Sequence, residues 1–273
     1  PMILHEKLVS SWRRRMLEVL RKDYDQYRSD IDALRPTKSD WMCSIRPYKD
    51  KNIEKIGGLC AECPNCMEFG YAVRDEEEFN VKSRIEGDMY LATTPERKSV
   101  VIRTFNGVDE VTKTTYIGKD VGEDKSGSLF RLSLIREGTI FVGKLALRDV
   151  SHAEFLLLLY SLITTTRIGG VKSDFGKVKV MIPAVLFCDY EVSSGYEIFM
   201  ATKGMESVDD VINTIKGNVM KFSECEVFTM NDLERKIVSH FHDNMHDIVK
   251  EAWINGLNMK NSIKQFITRE KGK

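Results

Sequence analysis

Three of the six cysteines in this chain lie close together, at Cys60, Cys63 and Cys66 in the segment GLCAECPNCMEFG. Thiolates at this spacing converge on one ion only where the backbone turns tightly, and the glycines and the proline of the segment favour such turns. A structural zinc site takes four ligands in a tetrahedron, and Cys43 is the nearest thiol upstream. The spacing therefore predicts that zinc bound by these four cysteines replaces a hydrophobic core in this segment.

The cysteine cluster has alternative interpretations, of which the first is a set of reduced thiols without a metal. A redox Cys-x-x-Cys motif opens a helix after a strand, whereas Pro64 and a third cysteine interrupt this one. A catalytic zinc would keep one position open and use histidine or carboxylate ligands, so we expect a structural ion. Cys188 and Cys225 lie in apolar segments, where we expect small buried thiols without a role.

The composition limits the partners of the chain. Lys plus Arg (41) balance Asp plus Glu (41) among 273 residues, so any nucleic-acid surface must be a local patch. The most apolar stretch, residues 155–163, is much shorter than the ~20 residues of a membrane span. The first residues lack the order of a secretory signal. We therefore expect a cytoplasmic protein without a membrane segment.

Hydrophobic periodicity predicts the helices. Residues 11–34 form an amphipathic pattern with a basic opposite face. Ser151 and Glu154 form a capping box, which predicts the start of a buried helix that runs to Ile163. Residues 205–273 predict two or three helices around a short strand.

Runs of β-branched and aromatic residues predict the strands. Four of them are joined as two hairpins by turns at residues 105–107 and 136–138. These strands cover residues 98–105, 110–118, 128–135 and 139–147. After the buried helix, an apolar segment that ends at Phe187 predicts a central strand. Strand, strand, helix and strand in this order form half of a ferredoxin-like unit.

Together these elements predict a single α+β domain over residues 1–273, with a ferredoxin-like antiparallel sheet as its core. We expect residues 37–73 to form a zinc-binding insert and residues 98–118 to form a β-hairpin. Residues 205–273 are predicted to form a mostly helical carboxyl-terminal region.

A glycine-rich basic loop, residues 164–179, follows the buried helix. Its cations are Arg167, Lys172, Lys177 and Lys179, and its glycines are Gly169, Gly170 and Gly176. Adjacent glycines let backbone amides approach a ligand closely, and the cations supply charge, so the loop suits a phosphate-bearing partner. The Gly-Lys-Ser/Thr spacing of a P-loop is absent. The alternative is a solvated turn with scattered lysines.

Residues 141–180 resemble the strand, helix and glycine-rich loop of the RAMP superfamily of CRISPR proteins. The cysteine segment at 57–73, with VKSRI at 81–85, resembles the zinc insert and basic strand start of the backbone subunit of the Cascade effector, most closely that of subtype I-D. The resemblance implies an RRM-like core with a zinc insert, a hairpin thumb and a helical lid. It implies a non-catalytic subunit that polymerises along a guide RNA (crRNA) and leaves the bases free to pair with target nucleic acid.

The resemblance also implies RNA-binding residues and partners. By position these residues are Lys82 and Arg84 at the strand start, Arg167, Gly169, Gly170 and Lys172 in the glycine-rich loop, and Lys113 in the predicted hairpin. The implied partners are crRNA, copies of the same subunit and other Cascade subunits. Proteins of this superfamily begin with a β-strand, whereas this chain goes almost directly into a helix. Either the first strand lies outside these residues or the predicted helix is misplaced.

A metal-dependent nuclease is the second functional hypothesis. His242 and His246 have the four-residue spacing of metal ligands on a helix, and each precedes an aspartate. Such a site needs further ligands, so solvated histidines are the simpler interpretation. The resemblance implies another route, because related RAMP subunits of type III complexes cut target RNA with a loop aspartate and a divalent metal. The candidates are Asp23, Asp30 and Asp40, and no spacing selects one of them. A third hypothesis is a zinc-binding RNA-binding protein outside CRISPR systems.

Overall fold

The computed structural model describes residues 1–22, 24–35, 41, 43–44, 59–72, 79–106, 129–169, 176–229 and 231–271. The helices in these ranges are α1 (His5–Lys22), α2 (Tyr24–Leu34), α3 (Pro64–Phe69), α4 (Glu96–Ser99), α5 (His152–Ile163), α6 (Gly195–Thr202), α7 (Val208–Val219), α8 (Leu233–Asp243) and α9 (Met245–Lys271). The strands are β1 (Met2–Ile3), β2 (Ile85–Gly87), β3 (Tyr90–Ala92), β4 (Val100–Asn106), β5 (Leu129–Ile135), β6 (Phe141–Val142), β7 (Leu145–Leu147), β8 (Val185–Phe187) and β9 (Glu226–Phe228). The fold is α+β, as the sequence predicts.

The strands form small antiparallel sheets. One sheet has the order β1–β3–β6, and the pairs β2–β7, β4–β5 and β8–β9 are two-stranded. Because β2 and β3 lie close in sequence and pair with β7 and β6, residues 85–92 and 141–147 run antiparallel along their whole length. Gly87 pairs with Leu145, and Leu91 pairs with Val142. The chain advances four residues from Gly87 to Leu91 but only three from Val142 to Leu145. The first strand of the ribbon therefore contains one extra residue, as in a β-bulge.

The main hydrophobic core lies between helices. Helix α5 packs against α1, α8 and α9, and Leu157 and Leu158 in its apolar run are fully buried. The indole of Trp12 on α1 donates hydrogen bonds to the carbonyl of Leu158 (3.1 Å) and to Ser161 Oγ (2.8 Å). These bonds satisfy a buried donor and fix the contact between α1 and α5.

Several local predictions are confirmed. The Ser151 side chain accepts a hydrogen bond from the Glu154 backbone, and the Glu154 carboxylate accepts one from the Ser151 backbone, which is the predicted capping box. The amphipathic pattern forms α1 and α2, although α1 begins earlier, at His5. A short strand precedes it, since β1 pairs with β3. None of the described helices is both long and apolar enough to cross a membrane.

Of the two predicted hairpins, the second is wrong and the first lies partly outside the described residues. Strand β4 pairs with β5, from Val100–Ile135 to Asn106–Leu129; its predicted partner, residues 110–118, lies outside the described residues, so the first hairpin stays a prediction. The turn at residues 136–138 forms, but β5 does not pair with β6, because β6 pairs with β3. Adjacency in sequence favours hairpins, whereas the paired strands of the ribbon are separated by up to about 60 residues.

The segment that ends at Phe187 is also different from its prediction. Only Val185–Phe187 form a strand, and this strand pairs with β9 in a two-stranded sheet instead of lying at the centre of a larger one. Cys188 and Cys225, predicted as buried thiols, flank β8 and β9, are partly exposed and form a disulfide bond. The bond thus fixes the same two strands that the hydrogen bonds join.

Candidate metal centre and cationic cleft

The four predicted metal ligands converge. The sulfur atoms of Cys43, Cys60, Cys63 and Cys66 all lie within 4.8 Å of one another. The Sγ atoms of Cys43 and Cys66 are 3.6 Å apart, and those of Cys60 and Cys66 are 3.9 Å apart. A tetrahedral zinc with Zn–S bonds of about 2.3 Å needs sulfur atoms about 3.8 Å apart. The four sulfurs therefore fit a metal ion such as zinc.

Helix α3 and two arginines position these ligands. Cys63 is the N-cap of α3, and its carbonyl accepts hydrogen bonds from the backbones of Cys66 (2.9 Å) and Met67 (3.0 Å). Pro64 at the first helical position favours a helix start there. Arg21 donates to the Cys43 carbonyl, and a buried Arg35 pairs with Glu62 at 2.6 Å. Arg21 on α1 and Arg35, which directly follows α2, thus hold both ends of the ligand set.

The electrostatics of the cluster favour one thiolate in the absence of a metal. Burial raises the pKa of the Cys63 thiol well above its usual range. Burial opposes ionisation of Cys60 too, but hydrogen bonds from the other three cysteines hold the pKa of Cys60 well below its ordinary value. The Trp41 indole and the Cys63 backbone N–H also donate to Cys60 Sγ, each at 3.4 Å. A bound divalent ion would displace the remaining thiol protons.

The cysteine segment does not replace a missing core but shares the main one. Cys43, Cys63 and Cys66 belong to the same buried apolar cluster as Trp12 and Trp253. Helix α3 packs against α1 and α9. A set of four thiolates leaves no open position for water or substrate. A metal here would therefore support the helical core and would not act as a catalyst.

Arg84, predicted to contact RNA, lies in the core instead. Its side chain is 8% exposed and pairs with both carboxylate oxygens of Glu154, at 2.6 and 3.2 Å. It also donates to the carbonyls of Met67 (3.2 Å) and Asp149 (2.6 Å). The guanidinium thus joins α3 to α5, and its burial leaves it inaccessible to RNA, contrary to the prediction. Lys82, two residues earlier, is exposed and keeps its predicted role as a candidate.

The glycine-rich loop begins and ends in a short antiparallel neck. The backbones of Arg167 and Lys177 form an antiparallel β-bridge. The Ile168 N–H donates to the Gly176 carbonyl (2.9 Å), and the Val178 N–H donates to the Thr166 carbonyl (2.8 Å). Gly176 has a φ of +80°, and a Cβ there would lie 2.0 Å from the Ile168 carbonyl oxygen, so only glycine fits.

The structure describes some of the other residues that were predicted to bind RNA, and others lie outside its described ranges. Gly169 is exposed at the neck with a φ of +107°. Gly170 and Lys172 lie outside the described residues, as does Lys113 of the predicted hairpin. Lys177 and Lys179, which the sequence places in the loop, are exposed at its carboxyl-terminal side.

A cleft of about 2390 Å³ opens beside this neck. The cations that line it are Lys7, Arg103, Arg136, Lys144, Arg148, Lys177, Lys179 and Lys221, and the carboxylates are Glu137, Asp149, Asp189, Glu191 and Glu197. Lys144 and Arg148 pair with Glu191. Arg103, Lys177 and Lys179 have no carboxylate partner among the residues that the structure describes. Sequence reasoning missed Arg103 because nothing local shows that β4 borders the same cleft as the loop.

The alternative metal site is not formed by the two histidines. His242 lies on α8 and His246 on α9, because α8 ends at Asp243. The hydroxyl of Tyr160 is 3.4 Å from His242 Nε2, and His246 packs edge-on against Tyr27 at 5.9 Å. Within the described ranges, only the four-cysteine group brings three or more potential metal-binding side chains together.

The candidate aspartates give no catalytic site either. Asp30 pairs with Lys250 at 2.8 Å on the surface, and Asp23 and Asp40 lie outside the described residues. The described part of the chain therefore offers no specific support for the nuclease hypothesis.

A buried carboxyl group that the sequence did not reveal lies beside the ion pair of Arg84. Glu68 on α3 is fully buried, and both of its carboxyl oxygens lack a hydrogen-bond partner among the described residues. Burial raises the pKa of Glu68 well above its usual range; the negative charge of Glu154 adds to this effect and Arg84 opposes it. Glu68 is thus protonated in the fold under conditions where it ionises in the unfolded chain.

Glu68→Gln should therefore change the pH dependence of stability. Above the unfolded pKa of about 4.3, the wild-type chain must take up a proton to fold, and its stability falls by about 1.4 kcal/mol per pH unit relative to the variant. This loss ends where pH passes the folded pKa. Urea unfolding of both metal-loaded proteins over a series of pH values measures the difference. A difference that does not change with pH would contradict burial of a protonated carboxyl group.

Comparison with known proteins identifies the family. No curated protein matches the chain. Among solved structures, the fold is similar to the crystal structure of Thermofilum pendens Csc2, with a TM-score of 0.69 and 21% sequence identity over 100% of this chain and 79% of that chain. The sequence matches the model of the family Csc2, described as Csc2 Crispr, over residues 1–271. The chain therefore belongs to the Csc2 CRISPR family and is a subunit of a CRISPR Cascade complex.

Proposed function

We propose that this protein is the crRNA-binding backbone subunit of a subtype I-D Cascade. It binds the sugar-phosphate backbone of the guide without reading its sequence and polymerises along it, so that the bases stay available for a target strand. Its partners are crRNA, copies of itself and other Cascade subunits, in the cytoplasm. In this proposal it has no catalytic role, as its resemblance to Cascade backbone subunits implies.

The cationic cleft is the observation that carries this proposal. The chain has no net charge, so affinity for a polyanion must come from a local surface. Lys177, Lys179 and Arg103 supply such a surface in one cleft, beside the glycine-containing neck of the loop. Lysines on a glycine neck contact phosphates without distinguishing bases. In this proposal Lys82, Arg167, Gly169, Gly170, Lys172 and Lys113 extend the same contact.

The proposal includes two finer assignments. The ion of the four-cysteine site is zinc, because a closed set of four thiolates is its usual structural site. The core is RRM-like, because the ribbon of residues 85–92 with 141–147 leads into α5 and then into the segment that contains β8. This matches half a ferredoxin-like unit in the order of its elements, although β8 pairs with β9 and not with the ribbon.

Lys177→Ala combined with Lys179→Ala should weaken binding of single-stranded RNA to the same extent for every sequence. The logarithm of the affinity falls with the logarithm of the salt concentration, with a slope of about −0.7 for each phosphate contact. Loss of two contacts should therefore make this slope less steep by about 1.4. Fluorescence anisotropy with two RNAs of unrelated sequence, over a salt series, measures both quantities. Lys203→Ala with Lys236→Ala is the matched control, because both lysines are exposed and lie outside the cleft.

An unchanged affinity and slope in the double variant would remove the cleft from the proposal. An effect on one RNA sequence only would contradict binding through the backbone. The same mixtures, incubated with Mg²⁺ or Mn²⁺, should contain intact RNA, and cleavage by the purified chain would overturn the non-catalytic assignment.

A further inference from the structure

Three phenylalanine rings form a continuous row at the cleft. The ring centroids of Phe155 and Phe187 are 5.5 Å apart, and those of Phe187 and Phe228 are 5.7 Å apart. Phe155 and Phe187 line the same cleft as Lys177 and Lys179. Phe187 is 50% exposed and Phe228 38%. Phe187 is thus a large apolar ring that packs against two other phenylalanine rings and exposes half of its surface to water. Exposed apolar patches of this kind are typical of surfaces that bind a partner.

The surroundings of Phe187 select the part of a nucleic acid that binds there. In the pairing of β8 with β9, Phe187 lies opposite the exposed Glu226, and Asp189 follows two residues later. These carboxylates repel a phosphate. A nucleobase is uncharged, and its flat face stacks on an aromatic ring. The row therefore suits bases, whereas the lysines at the other end of the segment suit phosphates.

One strand can reach both features. Lys179 and Phe187 belong to the same chain segment, and the eight Cα–Cα steps from one to the other span at most about 29 Å. Single-stranded nucleic acids bind to proteins through a cationic groove together with aromatic rings, over sites of about 4 nucleotides or more. The cleft combines both elements along one path.

We propose that Phe187, supported by Phe155 and Phe228, stacks on an unpaired base of the RNA strand whose phosphates lie at Lys177 and Lys179. This inference rests on the proposed function, because it assigns a second contact to the same bound strand. It adds a preference that phosphate contacts cannot give, namely for strands with exposed bases. Duplex RNA, with its bases stacked on one another, lacks such a base.

The test compares two ligands of identical charge. One is a fluorescent oligoadenylate RNA, and the other carries tetrahydrofuran abasic spacers in place of its central bases. The full-length wild-type chain should bind the abasic strand about 5- to 150-fold more weakly, which is the range found for stacking of one base on an aromatic side chain. Phe187→Ala should bind the two strands equally, with the affinity of the wild type for the abasic strand. Phe187→Trp should keep the preference.

Tyr196→Ala is the matched control, since Tyr196 is 63% exposed and does not line the cleft. It should keep the wild-type preference. Phe187→Ala could instead lower the affinity for both strands equally, or change neither affinity, while the wild type still binds RNA. Either result would exclude stacking and leave the proposed function in place. If the wild type binds neither strand, the proposed function itself fails. A wild type that binds both strands equally also excludes stacking.

Discussion

Cys63→Ser should release the metal ion and lower the free energy of unfolding by on the order of 4 kcal/mol or more, the range found for loss of a structural metal. Cys63 is fully buried, and its sulfur belongs to the four-sulfur group. Its carbonyl accepts the first backbone hydrogen bonds of α3. The same apolar cluster contains Trp12 and Trp253. The destabilisation should therefore spread through α1 and α9 instead of staying within the cysteine segment.

Two measurements check this expectation. Elemental analysis should give one zinc per wild-type chain and none for the variant, and near-ultraviolet circular dichroism should show altered tryptophan packing. The control replaces both Cys188 and Cys225 by serine, which removes the disulfide bond and should leave the zinc content unchanged. Full stability of Cys63→Ser without zinc would show that the four sulfurs pack as ordinary thiols.

Arg84→Ala should lower the free energy of unfolding by about 3–5 kcal/mol, the range found when one partner of a buried ion pair is removed. The substitution leaves the carboxylate of Glu154 buried without its cation. It also removes the donor to two carbonyls that lie on α3 and before α5. Because Arg84 is buried, RNA affinity measured below the unfolding transition should not change.

Lys82→Ala is the matched control for Arg84. Lys82 is exposed on the same segment, so this variant should keep its stability and, as the proposed function expects, lose RNA affinity. Replacing both Arg84 by Met and Glu154 by Leu should recover much of the lost stability, because it removes the uncompensated buried charge. A stable Arg84→Ala variant with weakened RNA binding would restore the sequence-based assignment.

The features that the sequence predicted correctly depend on residues close together in the chain. The capping box at Ser151 needs only Glu154, three residues later. Three of the four cysteines share one short segment, and the tight turns between them follow from its own composition. Cys43 could be added because a closed zinc site needs a fourth ligand.

The features that the sequence predicted wrongly depend on distant partners. Arg84 stands in a basic motif that suits a phosphate equally well, and its partner Glu154 is 70 residues away. The ribbon partners of residues 85–92 lie beyond β4 and β5, so a rule that pairs neighbouring strands cannot find them. The cleft likewise joins Arg103 to Lys177 across several elements.

The bond between Cys188 and Cys225 closes residues 188–225 into a covalent ring that contains α6 and α7. A protease that cuts once inside this ring leaves a single covalent molecule, whereas a cut outside it separates two fragments. Gel bands that appear only after addition of a reductant would thus map cleavage to the ring. The oxidised ring also ties α6 and α7 to the β8–β9 pair even when the surrounding helices unfold.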